Sequence, residues 1–298
     1  MYVLGFTAGL FSAILASCSY VASKGFINRY KSPLRLMALS LVFMMIPAAL
    51  TLLCLMGRYE LIFTQRNILM VLGAQASFVL GQFALFRALH YVEASRYSSL
   101  LGLKILVLSL IYVGILREPL SLQQWIAVIL CTISAVGINY SGLRIPLKAF
   151  VFLLITLSGY ICSDICHVEY IKGNIGTTPL IQAFASISFS YICLGLITLP
   201  TLFFFKWTFR EFGATAFYGG SWFLSMLTLF FCFYQMGLVY GSVLQATRGL
   251  FSIVLGALLV YYKVPGHEAA ETSRKDWIRR IVMAILMIIA VGLYAGGK

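Results

Sequence analysis

Two basic residues of this chain lie inside long apolar runs. Lys104 lies within LGLKILVLSLIYVGIL and Arg248 within ATRGLFSIVLGALL. If these runs cross a membrane, each cation costs about 2.5–3.5 kcal/mol at mid-depth, so each needs water or a counter-charge nearby. Both residue types bind carboxylate and phosphate groups. The two positions therefore predict an anion-binding site; the alternatives are a structural ion pair and snorkelling to the interface.

Asp164 is the main acid within an apolar run, in CSDICHVE at residues 162–169. It can take a proton or pair with Arg248, and otherwise it is an ordinary acid near a helix end. The neighbouring Cys162, Cys166 and His167 are residue types that bind metals. On a helix, however, Asp164 points about 200° away from Cys162, and a closed tetrahedral site needs a fourth ligand. We predict no metal and no cofactor.

Uncharged polar side chains in other apolar runs complete the candidate site. Gln75 and Gln82 are seven residues apart and share a helix face, so they either line a pore or hydrogen-bond between helices. Trp222 is the one tryptophan away from the end of an apolar run, and it predicts an apolar wall for a substrate. The predicted substrate-binding residues are Arg248, Lys104, Trp222, Gln75, Gln82, Arg87, Tyr160, Asp164, Gln235 and Gln245.

Arg87 belongs to a polar turn that also contains His90, Glu93 and Arg96. His90 can titrate near neutral pH. A solvated turn at the membrane surface explains the group as a whole. Arg87 lies three positions before His90, on the same helix face, and is its best candidate for a cavity.

Motifs of enzymes are missing from the sequence. It has no HExxH, no GxSxG, no Walker loop and no GxGxxG after a strand. We therefore predict no catalytic residue and no enzyme activity, and transport driven by ATP hydrolysis in this chain is excluded as well.

The elements that position these residues must be membrane helices. The chain is 61% hydrophobic and 10% charged, against about 25% charged residues in soluble domains. Apolar runs long enough to cross the bilayer recur along it, and in lipid each must satisfy its own backbone groups as a helix. The net charge of +13 comes mostly from short loops, which is typical of topology signals and not of nucleic-acid binding.

The sequence predicts an all-α membrane protein with ten transmembrane helices, connected by short loops apart from the hydrophilic segment 264–277. We call these predicted spans 1 to 10. They cover residues 3–23, 34–56, 67–89, 95–116, 122–140, 146–166, 180–205, 213–236, 241–262 and 278–296.

Ten spans divide into two sets of five, and five is odd, so the two sets cross the membrane in opposite directions. Span 4 holds Lys104 with Pro119 beyond it, and span 9 holds Arg248 with Pro265 beyond it. This weak internal similarity predicts two inverted five-helix repeats, residues 1–142 and 143–298, with a substrate site where they meet.

Residues 86–138 resemble the EamA-like branch of the drug/metabolite transporter superfamily. The matching features are Ala88-Leu89 with Ala94-Ser95 in the turn, Arg117-Glu118-Pro119-Leu120-Ser121, and Gln124-Trp125 at the start of span 5. In the second half, residues 246–259 fit the family's span 9, although Val264 replaces an acidic turn residue.

This resemblance implies a ten-helix inverted-repeat carrier with a central cavity and both termini in the cytoplasm. The charge distribution points the other way, because most Lys and Arg lie in the loops that would then be outside. Where many family members have Glu-Pro in span 4, this chain has Lys104-Ile105. Exchanging acid for base is expected to change the charge of the substrate.

We therefore predict a secondary transporter, an exporter or exchanger, that moves a small anionic or zwitterionic metabolite such as an amino acid by alternating access between the two halves. The alternative is an intramembrane transferase acting on lipid-linked substrates. The expected partners are the substrate, membrane lipid and, as coupling ion, protons; no nucleic acid is expected. The predicted location is the bacterial cytoplasmic (inner) membrane, as a multi-pass monomer or weak dimer.

Overall fold

The computed structural model of the chain describes residues 2–88, 91, 100–115, 117–138, 146–261 and 274–297. The predicted turn residues His90, Glu93 and Arg96 and the boundary between the proposed repeats at 142/143 lie outside the described residues. Most of the 264–277 loop does as well.

The described residues are almost entirely helical. The helices are α1 (Tyr2–Tyr30), α2 (Pro33–Phe43), α3 (Met45–Cys54), α4 (Gln65–Ala88), α5 (Leu103–Gly114), α6 (Leu122–Ile138), α7 (Leu147–Lys172), α8 (Pro179–Thr198), α9 (Phe209–Ala214), α10 (Ala216–Met236), α11 (Leu238–Ala246), α12 (Arg248–Tyr261) and α13 (Arg274–Gly296), and a 3₁₀ helix covers Leu199–Phe204. Two short strands, β1 (Tyr59–Glu60) and β2 (Ile175–Gly176), pair antiparallel.

Among the described residues, seven segments are long and apolar enough to cross a membrane, and they correspond to predicted spans 1, 2, 3, 6, 7, 8 and 10. They are Val3–Tyr30, Pro33–Cys54, Gln65–Ala88, Leu147–Lys172, Pro179–Phe204, Ala216–Met236 and Ile278–Gly296. The shorter apolar helices α5 and α6 lie at predicted spans 4 and 5. An all-α, multi-pass membrane protein is thus confirmed, whereas the count of ten spans stays a prediction.

Two predicted spans are interrupted where the sequence analysis expected single helices. Span 2 divides at Met44 into α2 and α3, because Pro47 has no N–H to donate and is tolerated only in the first turn of a helix. Span 9 divides at Thr247 into α11 and α12. The Thr247 hydroxyl donates to the Leu244 carbonyl at 2.6 Å, a local bond that competes with regular helix bonding.

Helix starts follow from local sequence. Ser32 and Thr178 each precede a proline, and the two hydroxyls accept hydrogen bonds from the backbone N–H groups of Arg35 and Ile181. Such side chains satisfy N–H groups that have no partner within the helix, and proline at the first position suits the helix backbone. These caps fix the starts of α2 and α8.

The tightest packing joins helices from the two halves of the chain. α4 lies along α7, and α1 lies along α10. At the first contact, a Cβ on Gly159 would lie 2.6 Å from the Ser77 carbonyl oxygen and 3.0 Å from the Gly81 Cα. At the second contact, Gly5 and Gly9 of α1 face side chains of α10 and α11.

Candidate functional site

Lys104 and Asp164 form an ion pair between α5 and α7. The Nζ–Oδ2 distance is 2.5 Å, and the two side chains are only 12% and 10% exposed. The carboxylate therefore supplies the counter-charge that Lys104 needs at this depth. The pairing of Asp164 with Arg248 considered from the sequence is replaced by one with Lys104, because α5 lies against α7 at this level.

Arg248 lies near enough to the same carboxylate for its charge to act on it. It begins α12. The guanidinium carbon lies 5.5 Å from the centre of the Tyr20 ring, a cation–π geometry. Among the residues that the structure describes, no carboxylate forms an ion pair with Arg248, so Asp164 is paired with Lys104 alone.

Aromatic rings enclose these charges. Trp222 of α10 packs edge-on to Tyr20 with a centroid distance of 6.0 Å and stacks on Tyr218 at 6.2 Å. On the opposite side, Tyr160 of α7 lies 6.0 Å from the Lys104 ammonium and stacks on Phe78 of α4. Low-dielectric walls of this kind strengthen the interaction of the charges with any ligand between them.

Both basic residues lie in the first two positions of a helix, directly after a turn. Residues 101–102 form a turn before α5, which begins one residue before Lys104, and Thr247 separates α11 from α12, which begins at Arg248. A helix N-terminus carries roughly half a positive charge. The N-termini of α5 and α12 therefore add partial positive charge beside Lys104 and Arg248.

The glutamine Gln75 does not join this group of charges. Its amide donates to the Ser190 carbonyl at 2.9 Å and makes a short hydrogen bond to the Ser190 hydroxyl. The same hydroxyl meets His167 Nε2 at 3.0 Å, and His167 Nδ1 bonds the Ser163 carbonyl at 2.8 Å. Gln75 thus joins α4 to α8 and α7, which is the interhelical alternative left open by the sequence.

Four other predicted residues occupy different places. Gln82 is buried on α4 next to Gly81, which packs on Tyr160, and Gln245 is buried in the last turn of α11 just before the break. Gln235 packs against Gly5. On α10 it lies about 20 Å along the helix axis from Trp222, at a rise of 1.5 Å per residue. Arg87 is exposed, with its guanidinium 6.0 Å from the ring of Phe83. The structure therefore separates Gln235 and Arg87 from the group of charges.

The residues that the structure brings together are Lys104, Asp164, Arg248, Tyr160 and Trp222, and we call these five the central cluster. Tyr20 and Tyr218 extend it and were missed by the sequence analysis. With 17 tyrosines in the chain, no spacing distinguishes these two, and only the packing of α1 on α10 reveals them.

Soft and imidazole side chains near Asp164 point elsewhere. Cys162 is exposed on the outer face of α7, and the His167 ring is used by Ser163 and Ser190. Within the described part of the chain, no three His, Cys, Asp or Glu side chains converge in a way that could hold a metal ion.

The fold and the central cluster together define a polytopic α-helical membrane protein with one ion pair and one further basic residue among its apolar helices. Residues 3–140 match the model of the EamA-like transporter family. This match confirms the resemblance found in residues 86–138, and the first half of the chain is similar to that family of membrane transporters.

The fold is also shared with a protein of known crystal structure. That structure covers 97% of this chain, and this chain covers 95% of it, with a TM-score of 0.69 at 13% sequence identity. Since the match extends over nearly the whole chain, the second half adopts the common fold together with the first. No curated protein matches the sequence.

Proposed function

We propose that this chain is a secondary carrier, an exporter or exchanger, of a small anionic or zwitterionic metabolite such as an amino acid. The observation that carries the proposal is Arg248, a cation at a mid-membrane helix start with no ion pair of its own among the described residues. A guanidinium in that setting is suited to hold a carboxylate or phosphate.

The charges of the central cluster favour an anion over a cation. Lys104 and Arg248 carry two positive charges against the one of Asp164, and the helix starts at α5 and α12 add partial positive charge. A simple cation would meet repulsion from both basic side chains. A zwitterion remains suitable, because its ammonium group can approach Asp164 or the aromatic rings while its carboxylate meets Arg248.

We further propose that residues 1–142 and 143–298 are inverted repeats. The helix packing supports this: α4 on α7 and α1 on α10 are equivalent contacts if predicted spans 1 to 5 correspond to spans 6 to 10. In the same correspondence, span 5 matches span 10 and span 2 matches span 7. The contact of α6 with α13 and the contacts of α8 with α2 and α3 join such matching spans, as inverted repeats require. The turns before α5 and α12, which carry Lys104 and Arg248, also lie in matching spans, 4 and 9.

Alternating access would then move bodies that contain helices of both halves. Rocking the two sequence halves as blocks would separate α4 from α7, where Gly159 and Gly81 bring the backbones close together. Moving α4 with α7 against α1 with α10 keeps both interfaces closed. The central cluster lies between these two pairs, since α7 carries Asp164 and α10 carries Trp222.

Asp164 is the proposed proton-coupling group, if transport is coupled to protons. It is the only acid of the central cluster, its carboxylate pairs with Lys104, and the charge of Arg248 acts on it as well. A proton on the Asp164 carboxylate would weaken the ion pair and release the Lys104 ammonium for the substrate. If transport is not coupled to protons, the carrier exchanges one substrate for another. We place the carrier in a bacterial cytoplasmic membrane.

A ligand-induced thermal-shift screen of the purified chain over amino acids, organic acids and nucleotides would test the proposal. We expect at least one class to stabilise the unmodified protein and Arg248→Gln to lose that stabilisation. Arg87→Gln is the matched control, because it removes the same charge from an exposed position.

Uptake or efflux of the identified compound in proteoliposomes should follow the same order, with Arg248→Gln inactive and Arg87→Gln active. An unchanged thermal shift and full transport in Arg248→Gln would remove the site assignment. Stabilisation by lipid-linked compounds alone would favour the intramembrane transferase.

A further inference from the structure

One end of the molecule carries a surface that combines exposed phenylalanines with exposed basic side chains. It is formed by the end of α1, the turn to α2, and the segment from the 3₁₀ helix to α9. Its basic members are Arg29, Lys31, Lys206 and Arg210, and its phenylalanines are Phe203, Phe204 and Phe209. We call these seven residues the basic-aromatic patch.

The two segments of the patch form a single surface. Phe26, Leu36 and Leu39 make a small buried cluster against which Trp207 and Phe212 pack. Arg35 of α2 also pairs with Glu211 of α9 at 2.8 Å. The position of each segment is therefore fixed relative to the other.

The patch is left with a net positive charge. Glu211 is the only acid in residues 24–35 and 199–217, and it is used by Arg35 and by the backbone N–H of Thr208. None of the four basic side chains of the patch forms an ion pair with an acid in the described part of the chain. Four positive charges thus face outward without compensation.

The phenylalanines point to the kind of partner. Phe203, Phe204 and Phe209 are 90%, 84% and 86% exposed. Apolar side chains this exposed mark contact with a membrane or a partner. Lys206 follows Phe204 by two residues and Arg210 follows Phe209 directly, so apolar and cationic groups alternate over a few ångströms.

We propose that the basic-aromatic patch binds anionic phospholipid headgroups of the adjacent leaflet. The phosphates would accept hydrogen bonds from Lys206, Arg210, Arg29 and Lys31, while the phenylalanines enter the upper acyl region. A membrane surface offers an apolar layer and an anionic layer at this spacing, whereas a soluble anion offers nothing for the three rings to contact. The proposal does not depend on what the carrier transports.

Quenching of Trp207 fluorescence by brominated lipids would test the proposal in the full-length chain reconstituted into phosphatidylcholine vesicles. Trp125→Phe and Trp277→Phe leave Trp207 at the patch, and Trp222 stays as a buried background. A small share of the lipid is replaced by dibrominated phosphatidylglycerol or by dibrominated phosphatidylcholine. We expect an apparent affinity for phosphatidylglycerol about tenfold higher.

Lys206→Gln with Arg210→Gln should reduce that preference by about threefold, since these are two of the four basic side chains that contribute to binding. The matched control is Arg58→Gln with Arg117→Gln, which removes two exposed charges outside the patch and should leave the preference unchanged. In the protein without charge changes, salt should weaken the preference by screening.

Equal quenching by the two lipids would overturn the proposal, because the patch would then be in contact with bulk bilayer only. An equal loss in the control pair would overturn it as well, by showing a general charge effect. A preference for phosphatidylglycerol that does not change with salt would also overturn the proposal. This test needs no charge substitution, so a misfolded variant cannot affect its result.

Discussion

Lys104 can lie in the membrane interior because Asp164 stands within 2.5 Å of its ammonium. Taking both charges out of water is costly, and their attraction in a medium of low dielectric offsets that cost only while both are present. The pair is therefore sensitive to the loss of either member. This sensitivity gives a direct test of whether the two residues depend on one another.

Lys104→Met should destabilise the protein by about 3 kcal/mol, because it leaves the Asp164 carboxylate buried without its partner. Thermal unfolding in a mild detergent would measure the loss as a lower midpoint. Asp164→Leu should have an effect of similar size.

The double variant Lys104→Met with Asp164→Leu should recover most of that loss, since neither member of the pair is then left buried without the other. Additive effects of the two substitutions would contradict the ion pair. Arg87→Met, which removes an exposed charge, should change the midpoint little.

Part of the central cluster could be foreseen from single residues. Lys104, Asp164 and Arg248 stand out because a charge in an apolar run needs a reason, and Trp222 stands out by its distance from a span end. Gln75 and Arg87 were harder to place, because an amide or a cation near a helix end suits a cavity, a neighbouring helix or the membrane surface equally well. The rotation of α4 decides between these, and it depends on packing against α7.

Gly159 lets α4 and α7 approach closely at the level of the central cluster. A methyl group at this position would lie 2.6 Å from the Ser77 carbonyl oxygen and 3.0 Å from the Gly81 Cα and N. These are backbone atoms, so no side chain can turn away to make room. The two helices would have to separate.

Gly159→Ala should therefore destabilise the protein by about 1–3 kcal/mol, the usual effect of overpacking. Thermal unfolding is again the measurement. Gly292→Ala is the matched control, because Gly292 is also helical and faces open space, so alanine there should be neutral or slightly stabilising. Equal midpoints for the two variants would contradict the close approach of α4 and α7.

Gly237 makes the turn between α10 and α11 with a single residue. Its φ of 91° and ψ of 155° lie in a region that is essentially restricted to glycine. Gly237→Ala should cost about 1–3 kcal/mol by strain alone, although the nearest atom to an added Cβ, the Tyr112 hydroxyl oxygen, is 4.0 Å away.

The helical Gly220, which also faces open space, provides the control for Gly237. Gly220→Ala should keep or raise the unfolding midpoint, because alanine is the better helix former. A tolerated Gly237→Ala would mean that this turn adopts another backbone conformation.

Helices were easier to predict than their interruptions. Apolar length fixes where a chain can cross a bilayer, and the seven long segments fall at predicted spans. The break near Met44 has a cause that is visible in the sequence, Pro47. The break at Thr247 does not, because threonine also occurs inside unbroken helices of this chain. The Thr247 hydroxyl bonds the Leu244 carbonyl. Ser17 and Ser19 make the same kind of bond inside the unbroken α1, so the residue type does not reveal the break.

At the scale of the whole molecule, the two halves of the chain are interleaved. α1 packs on α10 and α12, α4 packs on α7, and α6 packs on α13. The short sheet adds a polar connection outside the helices, where Tyr59 pairs with Gly176 and Glu60 with Ile175. An odd number of spans in each half suggested opposite orientations, but the choice of neighbours depends on side-chain fit between segments far apart in sequence.

Interleaving predicts that neither half is stable by itself. A fragment of residues 1–142 would expose the face of α4 that holds Gly81, and a fragment of 143–298 would expose Gly159 on α7. Small-residue faces of this kind are stabilised by close helix contact in lipid. Each fragment expressed alone should aggregate or show no cooperative unfolding, whereas co-expressed fragments with a tag on one should purify together. Monodisperse fragments with their own unfolding transitions would show that each half is an independent five-helix unit, and alternating access by rocking of the sequence halves would then become the simpler mechanism.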